Sequence, residues 1–73
     1  MSTPSHLHHI GQMIKQAREH RGYSQADLAN LASLRQATIA DIELGKSNFE
    51  INTLVRICSA LKFYLDINMA PAD

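Results

Sequence analysis

Nine residues beginning at Arg35, RQATIADIE, carry the most particular side-chain chemistry of the chain. The amide of Gln36 donates and accepts at once, which is what the N6 and N7 edge of adenine requires. Arg35, just before it, can fork onto guanine or grip a phosphate. Ala37 is small enough to lie against a thymine methyl, and Thr38 suits a backbone phosphate. Asp41 can accept from cytosine N4, although an anion among phosphates is unfavourable and solvent is its other place. These residues suit the reading of base edges in duplex DNA. Catalytic chemistry is not in view. Cys58 is the sole cysteine, and no histidine or carboxylate is placed by sequence to activate it. His6, His8 and His9 lie close together near one end, without a neighbouring cysteine or carboxylate to close a metal site. The expectation is therefore no catalytic residue, no metal and no cofactor.

The elements that would hold RQATIADIE are legible on both sides of it. Ser24 is a helix N-cap, its hydroxyl free to accept from an amide of the first turn. Asp27, three residues on, supplies the carboxylate version of a capping box. A helix from 25 to about 32 places Leu28, Ala29 and Ala32 on one face. Ser33 and Leu34 make a turn, and a second helix runs from 35 or 36 to 44. That helix turns Ile39, Ile42 and Glu43 inward and Gln36, Ala37, Ala40 and Asp41 outward. Gly45 stops it, since glycine accepts the left-handed conformation of a helix end. Two short helices joined in this way are a helix-turn-helix, whose second helix can enter the major groove. Gln25, opening the first of the pair, can offer its amide to phosphate beside the free N–H groups of the helix start. Lys15, Lys46, Ser47 and Asn48 are the other candidate phosphate contacts. Leu31 and Leu44 are apolar where outward positions are more often polar.

Residues from about 10 to 61 resemble the helix-turn-helix domain of Cro and phage repressors, the XRE-like family. Gln25, Ala26, Asp27, Leu28 and Ala29 fall on its pattern of glutamine, small, acidic, Leu-Ala. Thr38, Ile39, Ile42, Glu43, Gly45 and Lys46 fall on its Thr-Ile-x-x-Ile-Glu-x-Gly-Lys signature. Ser33 stands where the family usually has glycine, which puts left-handed strain in the turn. The resemblance implies that Arg18 forms an internal ion pair with Glu43; read from residues alone, Arg18 could equally be a free phosphate ligand.

The rest of the chain frames this unit. Seventy-three residues make one small domain. Residues 1–8, with Pro4 and a single apolar residue after Met1, read as a flexible tail. A helix-turn-helix domain follows over 9–62. Its first helix runs from between 7 and 9 to 20, with Ile10, Met13, Ile14 and Ala17 as the core stripe and Gly22 as its end. Lys15 and Arg21 lie off that stripe and could reach phosphate or water. The last helix spans about 51–62, with Leu54, Ile57, Cys58 and Leu61 inward. Over 63–70 the period changes to two: Phe63, Leu65, Ile67 and Met69 alternate with polar or aromatic residues, the pattern of a half-buried strand. A lone strand leaves its edges unpaired, so pairing with the same strand of a second copy about a two-fold axis is expected. A domain followed at once by YLDINM, together with RQATIADIE, resembles the HipB-type antitoxins, whose paired C-terminal strands cap the dimer.

The fold class expected is thus all-α, four helices with a helix-turn-helix, plus a C-terminal strand paired across a homodimer. Seven basic residues balance seven acidic ones, which favours modest, salt-sensitive DNA affinity per subunit. No apolar run could span a bilayer and no signal peptide is evident, so a cytoplasmic location is expected. The function expected is a homodimeric repressor on a palindromic double-stranded DNA operator. The HipB resemblance implies a HipA-like serine/threonine kinase as partner and repression of its own operon. A stand-alone XRE-family or phage-type repressor would use the same residues. A protein-interaction module indifferent to DNA remains the reading from another class, favoured by neutral charge and by Asp41.

Overall fold

The computed structural model describes residues 6–72. Four helices follow in order: α1 (His6–His20), α2 (Gln25–Ala32), α3 (Gln36–Glu43) and α4 (Ile51–Leu61). The architecture is all-α, with α2 and α3 forming the helix-turn-helix and α1 and α4 packed against it. Where each helix begins and ends follows from local chemistry. At α2, the Ser24 hydroxyl accepts from the Asp27 N–H at 3.0 Å, and the Asp27 carboxylate accepts from the Ser24 N–H at 2.9 Å. Gly22 and Gly45 take positive φ just beyond the ends of α1 and α3. Ser33 caps α2 in the left-handed region with φ 57°, a conformation that costs a non-glycine residue about 1–2 kcal/mol.

The core is made where the helices meet. Leu28, Ile39, Ile42, Ile57 and Leu61 are the large side chains with essentially no exposure, and Ile14, Ala29, Ala32 and Leu54 fill in around them. Cys58 is half-buried against this cluster. Burial pushes its thiol up from the ordinary cysteine value, which suppresses the thiolate. The crossing of α1 on α3 is close because Gly11 sits at it. A Cβ there would overlap the carbonyl oxygen of Ile42 and lie 2.9 Å from that of Glu43.

Three expectations are corrected. α1 begins at His6, so residues 6–8 of the expected tail are helical, while 1–5 lie outside the described residues. Met13 is 55% exposed, not in the core. The contact through Gly11 sets the buried line of α1 along Gly11, Ile14 and Arg18, which turns Met13 toward the side where the C-terminal arm leaves. No strand occurs among the described residues: 63–72 are exposed and without regular structure. A ladder needs a second strand, and among the described residues this chain presents none to Phe63, Leu65, Ile67 and Met69.

Candidate nucleic-acid interface

The interior of the helix-turn-helix is organised on Glu43, 3% exposed at the end of α3. Arg18 approaches from α1 with its Nε donating to Glu43 Oε2 at 2.7 Å and its Nη2 donating to Oε1 at 3.0 Å. Its Nη1 donates to the Tyr23 carbonyl at 2.8 Å. The bidentate bond to Glu43, above all, holds the guanidinium pKa above its ordinary value, with the carboxylate's charge adding to it. A third donor is Gln25, whose Nε2 reaches Glu43 Oε1 at 3.1 Å. One carboxylate therefore ties α1, the start of α2 and the end of α3 together. No buried side-chain polar atom among the described residues is left without a partner.

This arrangement fixes which face of α3 is free. Ile39, Ile42 and Glu43 are buried, Thr38 and Ala40 half-buried, and Gln36, Ala37 and Asp41 exposed. Arg35 precedes the helix in extended conformation, makes no capping bond with its side chain and is exposed. The exposed row at the start and outer side of α3 is thus Arg35, Gln36, Ala37 and Asp41. Of the other candidate phosphate contacts, Lys15, Lys46 and Asn48 are exposed and Ser47 is half-buried. Gln25 differs from the sequence expectation in one respect. Its amide nitrogen donates to Glu43, which occupies one of its two N–H groups.

Two arginines have roles that sequence patterning does not reveal. Arg56 of α4 donates through Nη2 to the carbonyls of Ala32 and Ser33, at 2.8 and 2.7 Å, and so grips the turn between α2 and α3. Arg21, read from sequence as facing phosphate or water, donates to the carbonyls of Leu61 and Lys62 at the end of α4. Lys15, Arg35 and Lys46 make no ion pair with any described residue. No trio of histidine, cysteine or carboxylate side chains among the described residues converges as a metal site would. No helix is long and apolar enough to cross a membrane.

Residues 14–68 match the HTH_3 helix-turn-helix family. The chain belongs to that family. Its members are DNA-binding transcriptional regulators, not enzymes, and this chain is one of them. No curated protein matches it. Among solved structures, the chain is similar to the restriction-modification controller protein C.AhdI from Aeromonas hydrophila, at 28% identity over 80% of this chain and 84% of that one, TM-score 0.78. The wild-type restriction-modification controller protein C.Esp1396I is 31% identical over 84% of this chain and 80% of that one, TM-score 0.79. A chain of a HipA–HipB–O2–O3 complex superposes with TM-score 0.77 over 97% of this chain and 100% of that one. Its identity is 21%, a likeness of fold alone. The expected special similarity to HipB-type antitoxins therefore gives way to a broader one. The signature residues Ile39, Ile42 and Glu43 are buried here and hold the fold, so they cannot distinguish one branch of the family from another.

Proposed function

We propose that this chain is a stand-alone, homodimeric transcriptional repressor of the same general build as the restriction-modification controller proteins, acting on a palindromic operator. The observation that carries the reading is the match at 31% identity over four-fifths of both chains to a controller protein of similar size. Each subunit lays α3 in a major groove. Gln36, Arg35 and Ala37 contact bases, with Asp41 at the same face. Lys15, Thr38, Lys46, Ser47, Asn48 and the remaining N–H of Gln25 hold phosphates. Phe63, Leu65, Ile67 and Met69 form the apolar side of a strand that pairs with its copy. The pairing sets the two recognition helices about 34 Å apart, one turn of duplex.

Co-purification of the tagged chain from its native cell, retaining DNA and protein together, tests this. Recovery of one palindromic promoter site without a stoichiometric protein partner is the expected result. A kinase recovered with the DNA would replace the stand-alone reading with the antitoxin one. A protein partner without DNA would overturn both.

A further inference from the structure

The C-terminal arm meets the helical body at Phe63, and the meeting is built around one side chain from a different helix end. Lys62 caps α4 in the left-handed region, φ 61°, a conformation that strains any residue but glycine. The backbone closes this end with the Phe63 N–H on the Cys58 carbonyl at 2.9 Å and the Lys62 N–H on that of Ser59 at 3.1 Å. Those bonds leave the carbonyls of Leu61 and Lys62 to find other donors. Arg21, just past α1, supplies them: Nε donates to Leu61 O at 2.8 Å and Nη2 to Lys62 O at 3.0 Å. The same guanidinium lies over the Phe63 ring, Cζ 5.0 Å from its centroid. His20 meets that ring edge-on, with centroids 6.2 Å apart and planes at 86°. Met13, Gln16 and Ala17 of α1 complete an open groove beside Phe63.

A planar fork spanning two successive carbonyls fixes more than position. It fixes the orientation of the peptide between them, and with the ring contact it sets the direction in which residue 64 departs. We propose that Arg21 is the positioning residue of the arm, and that through the arm it sets the spacing of operator half-sites that the dimer accepts. This rests on the homodimer of the proposed function. If the arms pair across the two-fold axis, the angle at which each leaves its body determines the separation of the two α3 helices. An arm free to swivel at residue 63 would accept several spacings, each less well.

The test is a binding-site selection from a DNA library in which two fixed half-sites are separated by spacers of every length from 0 to about 10 base pairs, the range of one helical turn. The wild-type chain should select a single spacing. Arg21→Ala should keep the half-site sequence preference, bind the best spacer about tenfold more weakly, and spread its selection over neighbouring spacings. Arg21→Lys keeps the charge near Phe63 but not the fork, and should fall between the two. A purely structural role would lower the folded fraction and leave the preferred spacing sharp; a sharp spacing in Arg21→Ala overturns the inference. Should that variant fail to fold, Arg21→Lys decides, because it removes the fork on the two carbonyls and leaves the charge and the Phe63 ring in place. Broadened spacing supports the inference and a sharp one overturns it. Failure of the underlying dimer reading shows elsewhere, as a wild-type chain that binds single half-sites with no spacing preference.

Discussion

Glu43 receives three donated hydrogen bonds from two side chains, and nothing about its carboxylate is exposed enough for water to replace them. Arg18→Ala would leave that anion buried with Gln25 alone. The expected loss is about 3–5 kcal/mol, most of the stability a domain this small is expected to have. Arg18→Met combined with Glu43→Leu removes both charges and should be more stable than Arg18→Ala alone, since burying neither ion costs less than burying one. Urea denaturation of the variants checks the order; a double variant weaker than Arg18→Ala would mean that the buried unpaired anion is not the source of the loss. Asp27 behaves differently because it is exposed. The Ser24 backbone N–H, and then its hydroxyl, hold the carboxyl below its ordinary value of 3.8. A group depressed on folding contributes stability that is present above its unfolded pKa and lost as pH falls through the folded one. Asp27→Asn should therefore lower the urea midpoint at pH 7 and narrow the gap to wild type as pH drops below about 3.8. An unchanged gap across that window would remove the capping box from the explanation.

At the scale of elements, two helix ends repeat one device. Ser33 and Lys62 are the described non-glycine residues at positive φ. Each has an arginine from another element on adjoining carbonyls, Arg56 from the middle of α4 at the first and Arg21 from just past α1 at the second. Arg56→Ala should cost about 1 kcal/mol or a little more, the range for an exposed charge-assisted bond, in thermal or urea unfolding. It should cost much less in a Ser33→Gly background, where the turn is no longer strained. Equal costs in both backgrounds would show that the arginine does not act through the strained turn. Such clamps are hard to find in a sequence, because their acceptors are backbone oxygens that every residue possesses. Helix punctuation was readable for the opposite reason: Ser24 with Asp27, Gly22 and Gly45 are side-chain or glycine signals with a local cause. The outward places of Gln36, Ala37 and Asp41 followed from period alone, whereas Ala40, expected beside them, is half-buried. The depth of Met13 did not, since it depends on how Gly11 lets α3 approach α1. Gly11→Ala tests that approach. The obstacle is backbone, not a flexible side chain, so a loss of about 1–3 kcal/mol is expected, measured by denaturation.

For the whole molecule the balance of charge matters most, and its distribution turns neutrality into something compatible with DNA. Seven cations face seven anions in the sequence. Arg18, Arg21 and Arg56 are committed to Glu43 or to backbone carbonyls. Lys15, Arg35 and Lys46 are exposed and make no ion pair with a described residue. A dimer that sets Lys15 and Lys46 on phosphates in each half-site, with Arg35 on bases, neutralises about four charges, so log K should fall against log salt with a slope near −4. Raising salt from about 50 to 200 mM then weakens binding on the order of a hundredfold. Lys46→Ala, removing one contact per half-site, should make the slope shallower by about 2 and weaken binding to all sequences alike. Gln36→Ala should leave the slope unchanged and lose about 1–3 kcal/mol of discrimination at one base pair of each half-site. Titrations of wild type and both variants, at several salt concentrations on operator and scrambled duplex, separate the two effects. A slope near −1 would mean that the exposed cations do not meet the backbone. An altered slope in Gln36→Ala would move that glutamine from the bases to the phosphates.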